Sequence, residues 1–231
     1  MIDIIWTEDK RLEVIKNYLN ANFVYEVDDI KSENIMLPIK GLDDLGNIID
    51  TNLNVYDVIK KRVKRIFTCK NTKVLDDLKE NNKIEVINLL SFPNVLEYNS
   101  YLTAEGLLGI IISKTNFNLR DSKVLLLGYG NCGKQIYKLF SKITRIDVDK
   151  YDCIEKYDII INTIPALVID KKLLKRINGV IFDISSFPYG VDIEYAKELN
   201  KELYIEPLIP ARYSYYDAGL ILAKKIYEIL N

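Results

Sequence analysis

Histidine is absent from the 231-residue chain. That removes the commonest general base at neutral pH and the commonest nitrogen ligand of metal ions, so no metal is expected. Cysteine is scarce: Cys69, Cys132 and Cys153 lie far apart and form no Cys-x-x-Cys pair. Neither a zinc site nor a disulfide framework is expected, and a reducing cytoplasm fits best. The longest apolar run, Leu107 to Ile112, contains Gly109 and falls far short of the roughly 18 residues of a membrane helix. The opening MIDIIWTEDK shows no basic segment followed by an apolar one, so no leader is expected and the location read from it is cytoplasmic. Excess positive charge is lacking as well. Lys+Arg 32 against Asp+Glu 33 leave a net charge of -1, without the field that holds a nucleic acid backbone. The longest basic cluster, Lys60 to Lys64 with Arg65, reads as a solvated helix end.

What is present is globular. With 48% hydrophobic and 28% charged residues, the chain is neither a disordered tail nor a fibre nor a coiled-coil rod. At roughly 150 residues per domain it forms one large or two small domains. The first ninety residues alternate β-branched runs with amphipathic stretches, as βα units of a parallel sheet do. Strands are expected at Ile2–Trp6, Phe23–Val27, Ile35–Ile39, Arg65–Phe67 and Glu85–Leu89. A helix over 8–20 is expected to be capped by Thr7 and to bury Leu12, Ile15 and Leu19, and another carries Val74, Leu75 and Leu78. Thr103 is then read as the cap of a helix near 100–116 whose Gly106 and Gly109 leave one flank bare. Lys123–Leu127 is a continuous apolar strand, followed by Gly128-Tyr129-Gly130-Asn131-Cys132-Gly133 and a helix carrying Ile136, Leu139 and Phe140. Ile143–Val148, Asp158–Asn162, Val180–Ile184 and Leu203–Ile205 read as further strands, and a final helix covers about Asp217 to Leu230.

Strand, glycine turn and helix in that order are what a dinucleotide fold needs. The first glycine permits the tight turn, the second lets backbone N–H groups approach a pyrophosphate, and the third brings helix and strand close. Gly128, Gly130, Asn131, Cys132 and Gly133 are the candidate pyrophosphate-binding residues. The acid expected roughly 20 positions further on is Asp149, which would accept from the adenosine ribose and favour NAD, while Lys150 could offset that charge. NAD and NADP both stay open. So does the plainer view that Asp147 and Asp149 are ordinary acids at a strand end. Only Lys150 to Tyr157 separates this strand from the next, too little for a regular crossover helix. After the third strand Asn162, Thr163 and Pro165, and after the next the run Asp183 to Gly190 with Ser185, fall at carboxyl strand ends, where ligands bind in open α/β sheets. Cys132 sits where a helix N-terminus would lower a thiol pKa, although packing alone accounts for it.

Five segments, Leu37-Pro38-Ile39-Lys40-Gly41, Tyr98-Asn99-Ser100 with Thr103-Ala104-Glu105-Gly106, the glycine turn, Ile161 to Pro165, and Ile209-Pro210-Ala211-Arg212 with Ala218-Gly219, together resemble the family of the A subunit of dipicolinate synthase. The resemblance runs from about residue 35 to the end. It implies a two-domain relative of the 2-hydroxyacid dehydrogenases from spore-forming bacteria, which oxidises a dihydrodipicolinate-type intermediate to dipicolinate with NADP or NAD. It also implies a flavoprotein-like second subunit, and homo-oligomers fit the same picture. The expected architecture is α/β with two parallel-sheet domains: 1–98, a joining helix over 99–118, a Rossmann-type dinucleotide domain over 119–207 with a shortened crossover after its second strand, and 208–231 packing back across the interface. Departures from the family are Trp6, Thr7, Glu8 and Lys10 in place of a glycine-rich turn with an acid and an Arg, Lys40 for Ser, Leu102 for Pro, Tyr189-Gly190 for Gly-Gly, and Ala211 for Gly.

A small dicarboxylate calls for cations and hydrogen-bond donors. Lys40 and Arg212, each two residues past a proline in loops that the resemblance turns toward the cleft, are the candidate cations. With no histidine, the proton falls to Glu105, Lys40, a tyrosine such as Tyr213, or water. Glu105 comes first, at a helix start where the dipole would favour its charge, although capping would explain it equally. Asn99, Ser100, Thr103, Ser185 and Tyr213 are candidate substrate contacts. Tyr213, Tyr215 and Tyr216 also read as a packing or interface cluster. Two rival readings are a dehydrogenase of another small carboxylate and a binding subunit without catalysis.

Overall fold

The computed structural model describes every residue, Met1–Asn231. Through the first half the elements are β1 (Asp3–Ile5), α1 (Lys10–Leu19), β2 (Asn22–Val24), β3 (Asn34–Met36), α2 (Val55–Val58), β4 (Arg65–Thr68), α3 (Lys73–Asn81), β5 (Glu85–Asn88) and α4 (Pro93–Lys114). There follow β6 (Lys123–Leu127), α5 (Asn131–Phe140), β7 (Arg145–Val148), β8 (Ile159–Asn162), α6 (Lys171–Arg176), β9 (Val180–Asp183), α7 (Ile193–Glu198), β10 (Leu203–Ile205), α8 (Ile209–Tyr213) and α9 (Tyr215–Leu230). The chain divides into two compact units, Met1–Tyr98 with Tyr215–Asn231, and Asn99–Ser214.

Each unit is built on a five-stranded parallel sheet, in the order β2-β1-β3-β4-β5 in the first and β10-β9-β8-β6-β7 in the second. Their strands are nearly unbroken apolar runs because helices cover both faces of a parallel sheet. In the second unit Val124, Leu126, Ile159, Ile161 and Phe182 join the cluster on one face, while Leu125, Leu127, Ile160 and Ile181 join that on the other. Each such side chain stabilises the fold by roughly 1.5–3 kcal/mol relative to an exposed one. The first sheet alternates likewise, Ile5, Ile35 and Ile66 on one face against Ile4, Met36 and Phe67 on the other.

Two helix starts differ from those expected of the sequence. The first helix is capped not by Thr7 but by Asp9, whose Oδ1 accepts the Arg11 N–H at 3.0 Å. Thr103 caps nothing: α4 already begins at Pro93, where a fixed φ suits a first helical position. Thr103 lies well inside the helix and donates its hydroxyl to the Asn99 carbonyl at 3.0 Å. Glu105 therefore stands mid-helix, away from the positive end of the dipole. The strands end earlier than their apolar runs: after β3 only Leu37 still donates its N–H to the Phe67 carbonyl, at 2.9 Å, before the chain turns at Ile39, and after β5 Leu89 opens a 3₁₀ turn. Between β7 and β8 the connection holds only a short 3₁₀ stretch, Tyr151–Lys156, broken at Cys153.

Candidate dinucleotide site

In the second sheet β6 lies between β7 and β8. The chain leaves β6 for one neighbour and returns to the other, so the carboxyl ends of β6 and β8 flank a topological switch point, the crevice where open α/β sheets bind ligands. The glycine turn occupies the first of these ends. Gly128 has φ +91°, and a Cβ there would come within 2.5 Å of Thr163 Oγ1. A Cβ on Gly133 would meet the Gly128 carbonyl oxygen at 2.2 Å, so the third glycine lets α5 lie on the turn. Gly130 is different: a Cβ there meets nothing within 4 Å. This glycine leaves open space in front of α5, whose N-cap it is, and no side chain caps that helix. The first N–H groups of a helix lack intrahelical partners and favour an anion.

Two side chains fix the turn. Asp149, in the left-handed region at φ 52°, accepts the Gly128 N–H on Oδ1 at 2.9 Å. Thr163 donates its hydroxyl to the Leu127 carbonyl at 3.0 Å, tying the ends of β6 and β8 together. Cys132 is half-buried and its thiol approaches Ser100 Oγ at 3.9 Å. Burial pushes that thiol up, against the lowering a helix N-terminus alone would give. A cavity of about 350 Å³ beside the turn is lined by Tyr129, Tyr137, Ile146, Asp147 and Val148.

At the end of β8, Asn162 is fully buried and its amide is used within the protein. Nδ2 donates to the Ile164 carbonyl at 3.0 Å and to Asp183 Oδ1 at 3.1 Å, while Oδ1 accepts the Ile164 N–H at 3.2 Å. Asp183 also accepts the Ser185 N–H at 2.9 Å and the Gly190 N–H at 2.7 Å. This buried pair shapes both loops, leaving Thr163 half-buried and Pro165 exposed. Ser185 is 4% exposed and its hydroxyl has no partner within the protein.

The remaining candidates divide. Asn131, Glu105 and Tyr213 are exposed, Ser100 and Thr103 are buried, and Asn99 is half-buried. Glu105 Oε1 accepts the Tyr101 hydroxyl at 3.2 Å. Arg212 donates to Glu206 Oε2 at 2.5 Å and lies over the Tyr213 ring, whose hydroxyl accepts Nη2 at 3.3 Å. Lys40 belongs to the first unit, where it pairs with Asp50 at 2.7 Å. Sequence reasoning missed the buried pair Asp9–Arg11 in that unit, in which Arg11, 5% exposed, contacts Asp9 Oδ2 through Nη2 at 2.6 Å. Its signal was an acid two residues before an Arg directly after the first strand.

The sequence and the fold are matched among known proteins. A curated protein of Bacillus subtilis (strain 168), the A subunit of dipicolinate synthase, is 24% identical over an alignment covering 86% of this chain and 77% of its own length. The crystal structure of the A subunit of dipicolinate synthase from Bacillus halodurans superposes with a TM-score of 0.84 at 22% identity, covering 99% of this chain and 97% of that one. The chain is similar to this dipicolinate synthase subunit over most of its length. No protein-family model matches it. An NAD+-bound 3-phosphoglycerate dehydrogenase of Entamoeba histolytica shares the fold more loosely, with a TM-score of 0.66 at 16% identity over 100% of this chain and 95% of its own. The fold is thus the Rossmann-like one of these structures, two parallel five-stranded sheets with helices on their faces. No helix is long and apolar enough to cross a membrane.

Proposed function

We propose that this relative of dipicolinate synthase is an NAD(P)-dependent oxidoreductase that converts a dihydrodipicolinate-type dicarboxylate to dipicolinate together with a second subunit. The observation that carries the reading is the open space at Gly130 in front of an uncapped helix, with Asp149 fixed beside it. The second subunit rests on the relative's name, which makes it one subunit of a synthase. When bound, the nicotinamide supplies a two-electron acceptor. The substrate ring gives up a hydride and a proton and becomes an aromatic pyridine dicarboxylate. We assign the proton to Glu105, whose carboxylate is exposed and oriented by the Tyr101 hydroxyl. Arg212 is assigned to a substrate carboxylate, with Glu206 and the Tyr213 ring setting its direction. Ser185 brings a hydroxyl not yet engaged.

The test is to incubate the chain with dihydrodipicolinate and either NAD+ or NADP+, with and without the second subunit. Dipicolinate absorbance rising in step with reduced nicotinamide is expected. Its sustained absence under all four conditions counts against the assignment.

A second reading, a nucleotide-binding subunit without turnover, is favoured by the short 149–158 connection and by the ion pairs that already engage Arg212 and Lys40. Glu105→Gln and Arg212→Ala separate the two. Loss of turnover with assembly intact supports the enzyme, whereas unchanged activity of the assembled complex supports the binding role.

A further inference from the structure

Within the first unit α9 turns Ala218, Gly219, Leu222, Ala223 and Ile226 inward, all of them buried. Its opposite stripe is Asp217, Leu220, Ile221 and Lys224, at the i, i+3, i+4 and i+7 spacing of one helix face. Two grooves flank that stripe. One, of about 260 Å³, is lined by Tyr98 with all four of these residues, and the other, of about 290 Å³, includes Val14, Tyr18, Tyr215 and Tyr216 in its lining. Leu220 stands between the grooves, lining both, and belongs to no hydrophobic cluster. Tyr216 is 60% exposed, Tyr227 54% and Tyr18 44%, the last two in edge-to-face contact at 6.2 Å. With Tyr98 and Tyr215 these rings, at roughly 200 Å² apiece and about half exposed, supply over half of the roughly 800 Å² that each partner gives to a stable interface. The charges on the stripe are unanswered. Lys225 pairs with Glu228 and lies over the Phe92 ring, but neither Asp217 nor Lys224 has a side-chain partner within the chain.

We infer that this face binds a second copy of the chain, with α9 antiparallel to its counterpart about a two-fold axis that passes between Leu220 and Ile221. A two-fold interface has to be complementary to itself, because the same patch is used on both copies. The stripe meets that condition by its order. Reversed about its midpoint, it brings Asp217 opposite the partner's Lys224 and Lys224 opposite the partner's Asp217, with Leu220 and Ile221 facing their counterparts between them. Charges left single in one copy become ion pairs at both ends of an apolar centre, which fixes the register of the pair. A different protein would need the opposite charges but not this antisymmetry. Leu220, a ridge between two grooves, has the shape that ridges-into-grooves packing of two helices requires. The inference is independent of the oxidoreductase reading, whose glycine turn belongs to the second unit.

The experiment is sedimentation velocity on the full chain across the micromolar range. A species of twice the 26.8 kDa of one chain is expected to grow in with concentration. Asp217→Lys sets lysine against lysine and Lys224→Asp sets acid against acid at both ends of the interface, so each alone should weaken the dimer at least about tenfold. Mixed in equal amounts, the two variants should pair with each other about as tightly as the unaltered chain, because the heterodimer restores both ion pairs. A second readout needs no variant to fold: carbodiimide, which joins a carboxylate to an amine in contact with it, should link Asp217 to Lys224 in the dimer band of the unaltered chain, read by mass spectrometry. A chain that stays monomeric overturns the proposal, including one that the second subunit alone recruits through this face. Dimers undiminished in both variants, or a dimer band without the Asp217–Lys224 link, overturn it too, since the interface then lies elsewhere.

Discussion

Gly130 and Gly133 lie three positions apart in one turn, yet a methyl group means opposite things at the two. At Gly133 it would collide with the Gly128 carbonyl oxygen at 2.2 Å, a backbone atom that cannot rotate aside. Gly133→Ala should therefore destabilise the second unit by about 2 kcal/mol or more, read as a lower urea midpoint. At Gly130 the methyl group would enter open space with the backbone at φ -73°, which alanine adopts freely. Gly130→Ala should cost less than about 1 kcal/mol of stability, the difference between these residues at an N-cap. It should nevertheless weaken nicotinamide nucleotide binding by about tenfold or more, because the methyl group occupies the approach to the α5 N–H groups. A Gly130→Ala protein that binds NADH as before would show that no pyrophosphate rests there. The G-x-G-x-x-G spacing announces all three glycines alike. Which of them serves packing and which leaves room is a matter of the folded neighbourhood, since Thr163 comes close to Gly128 once β8 lies beside β6, and the Gly128 carbonyl meets Gly133 once α5 folds onto the turn.

At the scale of elements, α4 shows how far sequence reaches. Gly106 and Gly109 both look like small residues on a bare flank. Only one of them is in contact: a Cβ at Gly106 would meet Ile209 Cγ2 at 2.4 Å, whereas one at Gly109 meets nothing within 4 Å. Gly106→Ala should cost about 1–3 kcal/mol through forced repacking of α8 against α4. The double variant Gly106→Ala with Ile209→Ala should lose less than the sum of the two single changes, because the new methyl group fills space the isoleucine vacates. Gly109→Ala should instead stabilise by up to about 1 kcal/mol, the helix-propensity gain at an exposed interior position. Thermal melts of the four proteins check the signs, and a destabilised Gly109→Ala would contradict the open surroundings of that residue. The strands were legible because burial on both faces writes itself as runs such as Val124 to Leu127 and Ile159 to Ile161. Helix starts were less so. Thr7 and Thr103 have the chemistry of caps, but Asp9 and Pro93 take the positions, and that choice depends on where the preceding strand or turn lets go of the backbone.

Across the whole molecule, the two sheets share one strand order, with the first strand of each unit between its second and third. The alternation of strand and helix patterns foretells parallel sheets, and the brevity of residues 149–158 foretells a crossover without a regular helix. The amphipathic pattern of α9 shows that it packs, but a helix pattern carries no address. In the structure α9 lies along α1, and Gly219 brings it close enough that a Cβ would meet the Arg11 carbonyl oxygen at 2.8 Å. Leu222, Ala223 and Ile226 complete the cluster of Ile4, Leu12 and Ile15 on one face of the first sheet. The first unit is thus assembled from both ends of the chain. Ending the chain at Ser214 should strip that face of its cover, at roughly 1.5–3 kcal/mol for each large apolar side chain returned to water, which is a large share of the stability of a domain this size. Hydrogen exchange read by mass spectrometry should then show β1 and α1 exchanging rapidly, while β6, β8 and β9, in a unit that ends at Ser214, keep most of their protection. Rapid exchange in both sheets would mean that the second unit needs the first in order to fold. Retained protection of β1 would mean that α3, α2 and the loops around them hold the first sheet without α9.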